Sequence, residues 1–481
     1  MIRKHIESLL NLEHELRLLI FDCYGFFSSY NYISLLKEYD FDIHYYLNVE
    51  EFRILYEELL KENKNKIAVI VKRNIYVPYD IRQSFRCVDL SLYAIFPKLN
   101  GSVLEDYMRD LELISYSYDK CYSDSTTPAQ TDKFIKEEVF TKQTVQKYCK
   151  DKSAELSEKC LVDSNYIDWL NIAKEVALVR YYAAKFDVPV DLSSVDDEFK
   201  QFIYENYDKV SLEINQDYPL IVTKTLDIIC KSNEKIALIV MDGMSLVDFE
   251  TISRHFDGIK YESNCSFAII PTTTAISRQS LLLGEYPRVL DKPFSGINEE
   301  NEFKLALSKR DYIDNQIMYS REYESDISQF TKFIAVIIND IDDIVHGQKQ
   351  GREGMFNNMN TLGKSGKLQN LIRQLYKQGF TVYITSDHGN TLCTGVGSFR
   401  SGIEVETRSK RMVVLKNFAE ANDLMEMNTT EYPGYYLDQS YKYYICNNGV
   451  SFDNKGDMVM THGGISLDEV IVPFIKITEV D

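Results

Sequence analysis

The stretch KIALIVMDGMSLVDFE, residues 235–250, decides the fold that this sequence predicts. Its apolar run Ile236–Met241 is bounded by polar residues, which is typical of a strand buried on both faces of a parallel sheet. The run ends in Asp242-Gly243, so a carboxylate follows directly at the carboxyl end of the strand. Open α/β sheets bind their ligands at that edge. Asp242 is therefore a candidate ligand-binding residue, and capping of the following helix is the alternative.

Further strand candidates alternate with segments of helical periodicity from residue 233 to the end of the chain. After the first strand they are Phe267–Ile270, Phe333–Ile338, Phe380–Thr385, Arg411–Leu415, Tyr443–Cys446 and Val470–Ile475. This alternation predicts an α/β fold with a doubly wound, mainly parallel sheet for residues 233–481. Residues 1–100 predict a small α/β domain. Residues 101–232 predict a helical domain, in which we expect the only tryptophan, Trp169, to pack between helices.

Composition and charge narrow the classes of protein that fit. The chain has 481 residues, is 44% hydrophobic and carries a formal net charge of -19 at pH 7. The acidic balance argues against a broad nucleic-acid-binding surface, although a nucleotide or phosphoester in a metal-filled cleft stays compatible with it. No run approaches 18 apolar residues, so we expect no membrane span. Nine scattered cysteines and the absence of a signal-peptide pattern predict a cytoplasmic protein with reduced thiols.

Side chains that bind metal ions recur at the ends of the later strands. Asp342 and His346 stand four positions apart in NDIDDIVHG, so one helical turn puts them on the same face. Asp387 and His388 are adjacent in SDHGN, and His462 stands in THGG before the last strand. Carboxylate and imidazole together are typical ligands of zinc. Because the chain has only seven histidines, three of them near strand ends indicate one shared site.

A threonine-rich loop follows the second strand candidate. It reads PTTTAISRQSLLLG, residues 271–284, and three consecutive threonines precede a helical segment. The start of a helix offers free N–H groups to an anion. One of the threonines is a candidate nucleophile that a metal ion activates in place of a base. Capping of the helix is the alternative for such a loop.

In this order the motifs resemble the alkaline phosphatase superfamily. The forms MDGMS, PTTTAISRQSLLLGEYP, DDIVHG, TSDHGN and THGGISLDEVIVP are most similar to the PglZ domain of bacterial phage-defence systems of the BREX type. The resemblance implies two divalent metal ions, for which zinc is the first expectation and manganese the second. It implies that each ion is held by three residues, one by Asp342, His346 and His462 and the other by Asp242, Asp387 and His388.

The resemblance also implies the groups that perform the chemistry. Thr274 is the implied nucleophile, with Thr272 and Thr273 as fallback candidates. Arg278 lies one helical turn beyond Thr274 and is expected to steady the alkoxide or bind a phosphoryl oxygen, and a surface helix residue is the alternative. A threonine at position 274 argues against a sulfatase, which needs cysteine or serine there. Asp342 follows Thr274 by only 68 positions, too few for the domain inserted in cofactor-independent phosphoglycerate mutases.

The function implied by the resemblance is a two-metal phosphodiesterase or phosphatase in bacterial anti-phage defence. Its expected partners are a phosphoester or nucleotide substrate and other proteins of the defence system. Two alternatives stay open. One is a catalytically idle scaffold that binds defence-system partners, and the other is transfer of a phosphoryl or nucleotidyl group to another acceptor.

Overall fold

The computed structural model of the chain describes residues 2–29, 32–71, 75–118, 126–160, 164–231, 234–290, 294, 298–399, 410–416, 424 and 426–481. Contacts divide the chain into two compact units, Met1–Tyr148 and Cys149–Asp481. The division into domains at 1–100, 101–232 and 233–481 stays a prediction. Within the described ranges, no helix combines the length and apolar content needed to cross a lipid bilayer.

The first unit contains a parallel four-stranded sheet in the order β2–β3–β1–β4. Its strands are β1 Arg17–Phe21, β2 Asp42–Tyr45, β3 Ile67–Val71 and β4 Arg86–Asp89. Its α-helices are α1 Ile2–Leu10, α2 Phe26–Ser29, α3 Ile33–Glu38, α4 Val49–Leu55, α5 Tyr79–Gln83, α6 Leu92–Ile95, α7 Gly101–Leu104, α8 Leu111–Tyr118, α9 Pro128–Phe134 and α10 Lys142–Cys160, which continues into the second unit. Asp22, which follows β1, accepts hydrogen bonds from the backbone of Phe26 and Phe27 at 2.7 and 2.9 Å. Its carboxylate therefore caps a helix.

The second unit carries the predicted α/β fold. Its strands are β5 Lys235–Met241, β6 Ile259–Phe267, β7 Ile317–Ser320, β8 Phe333–Ile338, β9 Phe380–Thr385, β10 Thr391–Gly395, β11 Met412–Leu415, β12 Thr429–Tyr432, β13 Lys442–Cys446, β14 Val450–Ser451, β15 Met458–Thr461 and β16 Ile471–Val480. Its α-helices are α11 Tyr166–Phe186, α12 Ser193–Asn206, α13 Thr225–Ile229, α14 Leu246–Ser253, α15 Thr274–Leu283, α16 Glu299–Ser308, α17 Asp340–Gly347, α18 Gly351–Lys364, α19 Lys367–Lys377 and α20 Leu467–Val470.

The main sheet has the order β6–β16–β9–β5–β8–β7. The strands β9, β5, β8 and β7 are parallel, whereas β16 runs antiparallel to both of its neighbours. Ala237, Ile239 and Met241 of β5 pack into a core with residues of α14, α18 and α19. Ile236 and Leu238 on the opposite face are equally buried. Both faces of the central strand are covered, which confirms the doubly wound, mainly parallel sheet.

The predicted strand Phe267–Ile270 is wrong in position, because β6 ends at Phe267. Residues 268–270 are fully buried but form no ladder. Their backbone makes isolated hydrogen bonds instead. The N–H of Ala268 donates to the carbonyl of Val470 at 2.7 Å, and the carbonyl of Ala268 accepts from the hydroxyl of Tyr207 at 2.5 Å. An apolar run reports burial, and a buried connection produces the same pattern as a buried strand.

Trp169 lies between helices, as predicted. Its ring centroid is 5.0 Å from that of Phe199 and 5.6 Å from that of Phe202, both on α12. Trp169 itself lies on α11, a helix of 21 residues.

Candidate metal centre

The first group of predicted ligands meets at the carboxyl edge of the main sheet. Helix α17 begins directly after β8 and carries Asp342 and His346, whose Nε2 lies 3.0 Å from Oδ1 of Asp342. His462 follows β15, and its Nε2 lies 3.4 Å from the same oxygen and 3.2 Å from Nε2 of His346. One ligand atom from each of the three residues lies within 4.8 Å of the others.

The second group is Asp242, Asp387 and His388. Asp242 follows β5, and its backbone N–H donates to the carbonyl of Ile338 at 2.9 Å, so the ladder continues to this residue. Nε2 of His388 lies 3.7 Å from Oδ1 of Asp242 and 3.9 Å from Oδ2 of Asp387. Their ligand atoms also lie within 4.8 Å of one another, and all three residues are buried.

The two groups are neighbours. The rings of His388 and His462 stack with centroids 4.3 Å apart and an interplanar angle of 19°. Six side chains from four separate segments of the chain are thus brought together.

Backbone carbonyls fix the tautomers of these two histidines. Nδ1–H of His388 donates to the carbonyl of Gly389 at 3.0 Å, and Nδ1–H of His462 donates to the carbonyl of Thr272 at 3.0 Å. Because a carbonyl oxygen only accepts, Nδ1 carries the proton in each ring. Nε2 is then the nitrogen that faces the carboxylates, which is the arrangement usual for metal-binding histidines.

The charge states of Asp387 and His388 in the second group suit the binding of a cation. Burial, followed by the neighbouring carboxylate of Asp242, raises the pKa of Asp387 well above its usual range. Its Oδ2 is buried and accepts no hydrogen bond from the described residues. Burial, followed by the proximity of His462, lowers the pKa of His388 to about 3 and keeps its ring neutral. Two crowded carboxylates beside a neutral imidazole form a donor set that suits a divalent ion.

The pKa of Asp342, the carboxyl group of the first group of ligands, is shifted in the direction opposite to that of Asp387. Burial acts to raise the pKa of Asp342, but the adjacent imidazoles of His346 and His462 outweigh it and hold that pKa well below its usual range. An ionised carboxylate flanked by two imidazoles also suits a divalent cation.

The hydroxyl of Thr274 lies against the second group. Its Oγ1 donates to Oδ1 of Asp242 at 3.3 Å and lies 3.1 Å from Nε2 of His388. Thr274 is the first residue of the ten-residue helix α15. A nucleophile at this position meets both the candidate ligands and the positive end of the helix dipole.

Arg278 is buried beside the same carboxylate. Its Nη1 lies 2.5 Å from Oδ2 of Asp242, and its Nε donates to Oε2 of Glu299 at 2.7 Å. Burial opposes the charge of Arg278, but Asp242 and Glu299 outweigh it and raise the pKa of the guanidinium above its usual range. This arginine therefore supplies a fixed positive charge next to Asp242.

Sequence reasoning missed residues that support the centre. Glu299 holds Arg278, and no motif around Glu299 announces this role. Glu469 accepts from the backbone of Gly464 at 2.8 Å and forms a fully buried ion pair with Arg411. The spacing Ser466-x-x-Glu469 matches a capping box and was the available signal for this residue.

Comparisons with known proteins give a family match and a remote structural likeness. The model of the BREX system PglZ alkaline phosphatase-like domain matches residues 221–477. No curated protein sequence matches significantly. The solved structure of murine ectonucleotide pyrophosphatase/phosphodiesterase 5 aligns at 12% identity and a TM-score of 0.34, over 50% of this chain and 88% of that one. Its human counterpart aligns at 13% identity and 0.34, over 50% and 87%. The family match spans all six candidate ligands and Thr274.

Proposed function

The chain belongs to the BREX PglZ family of alkaline phosphatase-like domains, and we propose that it hydrolyses phosphoesters at a two-metal site with Thr274 as the nucleophile. The observation that carries the proposal is the pair of adjacent three-residue groups with the Thr274 hydroxyl against one of them. One ion would be held by Asp342, His346 and His462, and the other by Asp242, Asp387 and His388.

Bound divalent ions supply Lewis acidity, which lowers the pKa of a nearby hydroxyl and neutralises charge on a phosphoryl group. Attack by Oγ1 of Thr274 forms an oxygen–phosphorus bond and breaks the bond from phosphorus to the leaving oxygen. Water then hydrolyses the phosphothreonine. Oδ1 of Asp242 already accepts the hydrogen bond of the Thr274 hydroxyl and so offers the proton a first acceptor. The start of helix α15 favours the negative charge that develops there.

Arg278 acts in this proposal through its fixed charge. The side chain is 6% exposed and is bound between Asp242 and Glu299. A guanidinium held in this way orients Asp242 toward Thr274 and lies close enough to the centre to attract a phosphoryl oxygen.

The identity of the metal, the class of substrate and the biological role can be proposed from the ligand types, the sequence and the family. Histidine-rich ligand sets favour zinc or manganese over magnesium. We propose phosphodiesters ahead of monoesters, because no basic cradle for a dianionic monoester is evident in the sequence. The family description names BREX systems, which supports a role in anti-phage defence beside other proteins of the system.

The test joins metal analysis to a substrate panel. We expect about two ions per purified chain, turnover of bis(p-nitrophenyl) phosphate, and slower turnover of p-nitrophenyl phosphate. A metal-free, inactive protein that still binds defence-system proteins would support the scaffold alternative. Product analysis with an added alcohol separates hydrolysis from transfer, since a transferase would yield the alcohol's phosphoester.

A further inference from the structure

We propose that Thr272 is a positioning residue, whose hydroxyl clamps the backbone that follows His462 and so aims the imidazole at the metal centre. This inference rests on the proposed function, because it assigns a role in holding one of the proposed ligands. Thr272 was a fallback candidate for the nucleophile, and its contacts indicate a different task.

The hydroxyl of Thr272 makes two hydrogen bonds to one short stretch of backbone. It accepts from the N–H of Gly463 at 3.2 Å and donates to the carbonyl of Gly464 at 2.9 Å. The residue is fully buried. Replacing the hydroxyl by a methyl group would remove one hydrogen bond from each backbone group at a site that water does not reach.

The backbone carbonyl of the same residue binds the imidazole itself. Nδ1–H of His462 donates to the carbonyl of Thr272 at 3.0 Å, while Nε2 faces Asp342 and His346 at 3.4 and 3.2 Å. One residue thus contacts both the ring and the two residues after it. The ring orientation depends on the distance between these two backbone segments, which the hydroxyl sets.

The chain after His462 needs an external support of this kind. Strand β15 ends at Thr461, and residues 462–466 belong to no helix or strand. Gly463 has a φ of 109°, which favours glycine over residues with a side chain. Glu469 holds the later part of this segment, since it accepts from the N–H groups of Gly464 and Ser466 at 2.8 and 3.0 Å. The hydroxyl of Thr272 supports the part nearest the imidazole.

The three consecutive threonines differ in their surroundings, which separates their roles. The hydroxyl of Thr274 faces Asp242 and His388, whereas that of Thr272 is engaged with backbone. The hydroxyl of Thr273 is buried and has no hydrogen-bond partner among the described residues. Thr273→Val is therefore a matched control, since it makes the same chemical change one position away without removing a hydrogen bond.

The experiment measures zinc affinity of the full-length protein after metal removal, by competition with a chromophoric chelator. We expect Thr272→Val to weaken one of the two zinc sites by about 10- to 100-fold, the usual effect of losing a residue that orients a ligand. Thr272→Ser, which retains the hydroxyl, should keep the affinity near that of the wild type. Thr273→Val should leave it unchanged.

A second measurement does not depend on the folding of a variant. Nitrogen-15 NMR of histidine in the metal-free wild type should show His462 as the Nδ1–H tautomer, and the Nε2–H tautomer would overturn the inference. Equal zinc affinity in Thr272→Val and the wild type would overturn it too, as would equal losses in the valine and serine variants. A wild type that binds no zinc would instead contradict the proposed function.

Discussion

Oγ1 of Thr274 lies 3.1 Å from Nε2 of His388. The two residues are 114 positions apart in the chain, and each lies just beyond a strand of the main sheet or its buried extension. Nδ1 of His388 carries a proton that it donates to Gly389. The nitrogen facing the threonine is therefore the one that is available as a ligand. The proposed nucleophile and a proposed metal ligand are adjacent.

This geometry predicts that Thr274 is essential for turnover and dispensable for metal binding. Thr274→Ala should lower the rate of phosphodiester hydrolysis at least about 10³-fold, because the attacking oxygen is lost. Zinc content should stay at the wild-type value, since the ligands are intact. Thr274→Ser restores a hydroxyl and should recover part of the activity. Wild-type turnover in the alanine variant would exclude Thr274 as the nucleophile.

Adjacent aspartates allow a matched test of the ligands. Asp342→Asn removes a carboxylate that two imidazoles contact, so it should lose one of the two bound ions and nearly all activity. Asp343 stands next in the chain but is exposed. Asp343→Asn should bind metal and turn over substrate as the wild type does. Metal analysis by mass spectrometry checks both, and identical metal content in the two variants would remove Asp342 from the site.

Two glycines that each follow a histidine should respond differently to alanine. A Cβ at Gly389 would lie 1.9 Å from the backbone oxygen of Asp468, which is not free to move aside. We expect Gly389→Ala to lower the free energy of unfolding by about 3 kcal/mol. A Cβ at Gly347 would meet nothing within 4 Å. Gly347→Ala should therefore change the free energy of unfolding by less than about 0.5 kcal/mol. Urea denaturation measures both, and equal effects would contradict the steric argument.

We predict that the buried ion pair between Arg411 and Glu469 stabilises the fold. Arg411 and Glu469 are both fully buried, so Glu469→Ala would leave the guanidinium without its carboxylate. We expect a loss of roughly 3–5 kcal/mol in the free energy of unfolding. The exposed pair of Lys260 and Glu479 provides the control. Glu479→Ala should cost less than about 1 kcal/mol by the same denaturation measurement.

Removal of metal should destabilise the second unit. Asp242 and Asp387 are crowded together in a buried site, and a bound cation relieves their repulsion. A chelator should therefore lower the thermal midpoint, and zinc should restore it. At a free zinc concentration 100 times Kd, each site adds about 2.7 kcal/mol. An unchanged midpoint in calorimetry with and without chelator would argue against metal at this centre.

The main sheet and the side chains at its carboxyl edge could be predicted from the sequence, because both leave patterns in contiguous residues. The apolar run Ile236–Met241 is the pattern of a strand with two buried faces, and β5 has that environment. Asp242 follows β5 directly and Asp387 follows β9 after one residue, so strand position alone predicts that these two meet. The same reasoning misplaced the strand at Phe267–Ile270, since burial without pairing looks identical in sequence.

The sequence by itself determined which side chains arrive at the edge of the sheet, because strand ends and helical spacing are properties of contiguous residues. Only the tertiary structure decided how those side chains are held. The contacts of Thr272 with Gly464, of Arg278 with Glu299 and of Arg411 with Glu469 join segments separated by 192, 21 and 58 positions. Such contacts depend on the packing of whole elements and leave no periodic trace along the chain.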